Sequence, residues 1–130
     1  MTKTLRLKWS GPFTLNNQRV GAHWRTHTAE NTMLHQWAAT ASRDQQTTFT
    51  GPVRIEALMT QPAGRLPDAD SIALATKYVI DGLQTGGVFP NDGPEYVRQV
   101  TYHAPEKTPN QPRSLIVLVT DNTNCPKCGR

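Results

Sequence analysis

Cysteine is nearly missing from this sequence: of 130 residues only two are cysteines, both in the closing Cys125-Pro126-Lys127-Cys128. No disulfide framework can staple such a fold, so a hydrophobic core has to hold it. Long apolar runs are missing too. None approaches the roughly 18 residues of a membrane span, and the opening Met1-Thr2-Lys3-Thr4-Leu5-Arg6 is charged where a signal peptide turns apolar. A spanning protein is excluded, and the cytoplasm is the expected compartment. The sequence has no internal repeat and no low-complexity tract. Acid is the scarcer charge, with 10 Asp plus Glu against 14 Lys plus Arg and a formal net charge of +4. That balance suits a polyanionic partner and is also common among ordinary proteins. At 36% hydrophobic and 18% charged, the chain fits one soluble domain with a sizeable core and is too short for two.

Leu5, Leu7 and Trp9 alternate with Arg6 and Lys8, the period of a half-buried strand, and Ser10-Gly11-Pro12 stops it. Residues 13–28 show no clear period and read as an ordered loop dense in polar and aromatic groups. Residues 29–43 lack Gly and Pro and place Met33, Trp37, Thr40 and Ala41 at helical spacing. A second strand begins after Gly51-Pro52, with Val53, Ile55, Ala57 and Met59 on one face. Pro62, Gly64 and Pro67 make a loop. A second helix then starts near Asp70, with Ile72, Thr76, Val79, Ile80 and Leu83 on one stripe, Asp70, Lys77, Asp81 and Gln84 opposite, and Gly86-Gly87 closing it. Residues 96–104 and 115–119 read as two more strands joined by a Pro- and Lys-containing turn. The expectation is an α+β fold, a single domain with a mixed β-sheet and two helices packed on it, in the order β-α-β-α-β-β.

Asp68-Ala69-Asp70 places two carboxylates two residues apart. In an extended segment, which Pro67 favours, they project to the same side, whereas a helix would part them by about 200°. Two carboxylates about 4 Å apart repel by roughly 4 kcal/mol at an effective dielectric near 20. A divalent ion satisfies both, and hard oxygen ligands without Cys or His point to Mg²⁺ or Mn²⁺. The competing reading is that Asp70 caps the helix. Asp92, in Pro90-Asn91-Asp92-Gly93-Pro94, is either a third ligand or a turn former.

The segments Asp68-Ala69-Asp70-Ser71-Ile72, Lys77-Tyr78-Val79-Ile80-Asp81-Gly82-Leu83 and Gly87-Val88-Phe89-Pro90-Asn91-Asp92 together resemble the RusA-type Holliday junction resolvases, small DNA endonucleases of phage and prophage origin. Asp68, Asp70, Lys77, Asp81, Leu83 and Asp92 match that family's pattern, and Asn16-Asn17 and Arg25-Thr26-His27 look like its polar segment after the first strand. The chain departs from it at Ser71, where Asn is frequent, at Asn91, where an acid is common, and in a longer spacing from Asp70 to Lys77.

The resemblance implies an endonuclease domain over residues 1–120, acting as a homodimer in the bacterial host cytoplasm, that binds a four-way DNA junction and cuts two opposed strands with Mg²⁺. In that reading Asp68, Asp70 and Asp92 hold the metal, and Lys77 reaches the scissile phosphate or forms an i,i+4 ion pair with Asp81. Asn17, Arg19, His23, Trp24, Arg25 and His27 contact DNA, or form a surface loop with Trp24 tucked into the core. Leu74 and Tyr78 beside the polar face suggest a subunit interface or partial core burial. The tail, residues 121–130, offers Cys125 and Cys128: free thiols, or half of a zinc site completed by a second tail.

Overall fold

The structure, a computed structural model, describes residues 3–15, 24–91 and 93–121, and of residues 24–28 the backbone alone. In chain order its elements are β1 (Thr4–Trp9), α1 (Trp24–Gln45), β2 (Val53–Gln61), a one-turn 3₁₀ helix (Ala69–Ile72), α2 (Ala73–Thr85), β3 (Val97–Tyr102), β4 (Glu106–Lys107) and β5 (Ser114–Asp121).

Alternation of side chains builds the sheet. β1 buries Leu5 and Leu7, β2 buries Val53, Ile55, Ala57 and Met59, and β5 buries Leu115, Val117 and Val119. The strands lie in the order β1-β5-β2-β3, with β4 also beside β2. β5 is antiparallel to β1 and β2, while β3 and β4 run parallel to β2. Register aligns the buried faces into rows: Leu5 opposite Val119 opposite Ile55, Leu7 opposite Val117 opposite Ala57, and Trp9 opposite Leu115 opposite Met59. A parallel pair needs a crossover between its strands, and α2 supplies it between β2 and β3. Both helices contribute to the same core, through Leu34 and Ala38 of α1 and Ala75, Val79 and Leu83 of α2. Arg6, Lys8 and Arg54, at the alternate positions of the strands, are exposed. The architecture is therefore α+β, a mixed sheet carrying two helices, as the sequence pattern predicts.

Three local expectations change. α1 begins at Trp24 rather than at residue 29, because residues 24–28 contain no helix breaker, although their polar character gives them no apolar period. Its buried face is also rotated: Asn31, Leu34, Ala38 and Ser42 are buried, whereas Met33 is 44% exposed, Thr40 is exposed, and Trp37 and Ala41 are half-buried. The connection at residues 103–113 adds the two-residue β4, paired to Thr60 and Gln61.

Close helix contact explains the rotated face. A Cβ on Gly82 would meet the His35 carbonyl oxygen and stand 2.8 Å from the Ala38 Cβ, and one on Gly86 would meet Ser42 Oγ and stand 2.8 Å from the Ala39 carbonyl oxygen. Two glycines four residues apart thus face small residues of α1, and neither Trp37 nor Met33 would fit there. α2 then ends in a Schellman motif. Gly87 adopts φ +82°, its N–H reaches the Gln84 carbonyl at 3.0 Å, and the Val88 N–H reaches the Leu83 carbonyl at 3.0 Å. Val88 and Phe89, both buried, continue from this turn into the core.

Candidate functional site

β2 ends at Gln61, and its side chain organises the loop beyond the strand. Gln61 Nε2 donates to the carbonyls of Ala63 at 3.1 Å and Arg65 at 2.9 Å, while Gly64 takes φ +90°, a conformation other residues adopt at a cost. The loop is thereby fixed as it delivers Asp68. That residue is extended, at φ −68° and ψ 156°, and precedes the 3₁₀ turn. Its carbonyl accepts the Ser71 N–H at 3.1 Å, but its carboxylate makes no capping hydrogen bond. Asp70 lies inside the turn, so the two carboxylates do not project from one extended segment. The chain already coils at Ala69, closing an i→i+3 ring. Both Asp68 and Asp70 are exposed, and Asp70 stands in the first turn, where the helix end favours negative charge.

Asp68 also lines a cleft of about 520 Å³. Gln61, Arg65, Leu66 and Pro67 line it from the same stretch of chain, and Leu15 and Arg113 reach it from elsewhere. Arg113 is held firmly. Its guanidinium donates to the Phe13 carbonyl and lies with its central carbon 4.1 Å from the centroid of the Phe13 ring, a cation–π arrangement. Burial lowers its pKa, and the nearby Glu30 carboxylate pulls it back up. Glu30 in turn accepts a 2.6 Å hydrogen bond from Thr14 Oγ1. Phe13 and Thr14 are thus tied to the segment just before β5 and to α1 through an arginine and a glutamate that the sequence pattern does not single out. Arg113 sits between Pro112 and Ser114 in what reads as a turn, and Arg65 in what reads as a plain loop. Neither position carries a local signal.

Lys77 Nζ stands 3.9 Å from Asp81 Oδ1, with the two side chains 69% and 33% exposed. The i,i+4 pair is present, and at that exposure it contributes a few tenths of a kcal/mol. Leu74 and Tyr78 are half-buried, Tyr78 against the core.

Trp24, Arg25 and His27 belong to the first turns of α1 rather than to a loop. Asn17, Arg19, His23, Asp92, Cys125 and Cys128 lie outside the described residues. The turn just after residue 92 is described: the Gly93 carbonyl accepts the N–H groups of Tyr96 at 3.0 Å and Val97 at 2.9 Å, and Val97 pairs with Val53 at the start of β2. Asp68 shares its cleft with Gln61, at the other end of that strand. The 3₁₀ turn bearing Asp70 contacts β2 and β3, and the residue-92 loop enters β3 beside Val53, at the opposite end of β2 from Gln61. Among the described residues no three His, Cys, Asp or Glu side chains gather as metal ligands, and the set expected from the sequence includes Asp92. No protein-family model and no curated protein matches the chain in sequence.

Proposed function

We propose that this protein is a metal-dependent DNA endonuclease of the RusA type, which resolves four-way junctions in recombination and repair. The observation that carries the reading is Asp68: an exposed carboxylate not used in capping, on the wall of a cleft that also holds two arginines, with Asp70 in the next turn. A residue present only to cap the turn would direct its oxygens at the free N–H groups instead. The donor set is all carboxylate oxygen, which fits Mg²⁺ or Mn²⁺ and not zinc.

Asp68 and Asp70 would hold the metal; the family resemblance adds Asp92 as a third ligand, while the described turn that follows it, Gly93 to Val97, meets the start of β2 and Asp68 lies by that strand's end. When bound, the ion lowers the pKa of a water molecule and offsets charge on the phosphate. The protein's own groups do the rest. Lys77, one exposed helical face further on, places a cation for the leaving oxygen, and the N-terminal segment with Asn17, Arg19, His23, Trp24, Arg25 and His27 supplies contacts to the branched backbone. A homodimer would present two such sites to opposed strands. The proposed setting is the cytoplasm of a bacterial host, with a phage or prophage origin. No described helix is long and apolar enough to cross a membrane. For Cys125 and Cys128 a zinc ion shared between two tails predicts half an equivalent of zinc per chain, and free thiols predict none.

The test is incubation of the purified protein with an end-labelled four-way junction with and without Mg²⁺. Paired nicks in opposed strands that require Mg²⁺ are the expected outcome. Binding without nicks under any divalent ion would make the protein a junction-binding module, and neither binding nor cutting would overturn the reading. A monomer at micromolar concentration by sedimentation would remove the dimer.

A further inference from the structure

We infer that the cleft beside Asp68 is an anion pocket in which Arg65 and Arg113 hold a phosphate of a nucleic-acid strand; the inference rests on the nuclease reading for the kind of strand, not for the anion. Three features of the cleft support it. The first is charge: Arg65 and Arg113 line the cleft with Asp68 as its one lining carboxylate, and Glu30, near Arg113, is not part of the lining. The second is preorganisation. Arg113 is half-buried and held from two sides by the ring and the carbonyl of Phe13, a bond that takes one of its five N–H donors. Arg65 sits on a loop closed by the two hydrogen bonds of Gln61. Neither arginine has to give up much backbone freedom to meet a ligand. The third is size and lining. About 520 Å³ falls within the range of small-ligand sites and exceeds the space a bare ion needs, while Leu15 and Leu66 give apolar wall beside the charges, suited to a sugar next to its phosphate.

The position relative to Asp68 gives the pocket a role. A carboxylate on the wall repels a phosphate unless cations outnumber it, and a planar guanidinium meets phosphate oxygens in pairs. With Arg65 and Arg113 engaged, the strand would be anchored by one phosphate while its neighbour lies at Asp68 and Asp70. The two arginines are thus phosphate-contact residues that position the strand and take no part in breaking the bond.

Binding without metal isolates this role from catalysis. A fluorescein-labelled four-way junction is titrated with protein in EDTA over a range of KCl, for the wild type, Arg65→Gln and Arg65→Lys. Arg65 is exposed, so these variants fold. Loss of one phosphate contact is expected to weaken binding several-fold and to reduce the slope of log affinity against log salt by about 0.9, with Lys restoring the slope. Arg113→Gln should reduce the slope likewise, with its melting temperature monitored because it also releases Phe13. An unchanged slope in Arg65→Gln overturns the pocket. Cutting by the wild type in Mg²⁺ together with that unchanged slope would leave the nuclease reading standing without the pocket. A reduced slope in a protein that never cuts would leave the pocket standing without the nuclease.

Discussion

The contact between α1 and α2 and the end of the sheet where β2 releases residues 62–68 are made of opposite materials. The first is built from small side chains, Ala38, Ala39, Ser42, Gly82 and Gly86, at separations that leave no room for a methyl group. The second is a polar cleft with space in it, closed by side chain to backbone hydrogen bonds from Gln61 and Arg113. Packing of the first kind excludes water and fixes where the helices lie; the second leaves charged groups facing solvent. Their difference separates the residues that make the fold from those that are free to bind.

Five sets of substitutions would sharpen or break that separation. The largest effect is expected at Asp70→Asn, where junction cutting should fall by at least two orders of magnitude, roughly 3 kcal/mol in barrier height, while melting temperature and junction binding stay near wild type. Near-normal cutting in Mg²⁺ would remove Asp70 from the proposed metal site. Leu34→Ala should cost about 3 kcal/mol in denaturant unfolding, since Leu34 is fully buried. Met33→Ala should stay within about 0.5 kcal/mol, and equal losses at the two positions would refute the rotated face of α1. At Gly82→Ala two terms oppose. Helix propensity gains about 1 kcal/mol, but the new methyl meets the His35 carbonyl, and overpacking of about 1–3 kcal/mol should win. A stabilised variant would show the helices free to separate.

The smallest effect on stability belongs to Lys77→Ala, a few tenths of a kcal/mol for the exposed pair with Asp81. A fall in cutting far beyond that would assign Lys77 to the phosphate, and unchanged cutting would leave it a surface ion pair. The sheet, at Tyr102 of β3, also carries a pH signature. Burial raises the pKa of Tyr102 above its usual 10.0, so both states are neutral below about pH 10 and the unfolded chain ionises first above it. Stability should therefore decline as pH rises past 10, and Tyr102→Phe should remove that part of the decline in alkaline melting curves.

The alternation of β1 and β2 made those strands legible from sequence, because a period of two puts every second side chain on one face whatever lies beyond it, and Leu115-Ile116-Val117-Leu118-Val119 was legible as a short continuous apolar run. The stripe Ile72, Thr76, Val79, Ile80 and Leu83 was legible for the same reason at helical period, and all five are buried. The face of α1 was not. Two apolar stripes compete in that helix, and the choice fell to Gly82 and Gly86, some forty residues away, which admit only small partners. In the candidate site, Asp68, Asp70 and the Lys77–Asp81 pair could be picked out in sequence because their spacings are local. Arg65 and Arg113 were not, since they line one cleft only when the end of β2 and the start of β5 come together. Local periodicity fixes which residues share a face. Which distant charges share one cleft, and which of two helical faces is buried, depends on how the elements pack, and only the tertiary structure decides it.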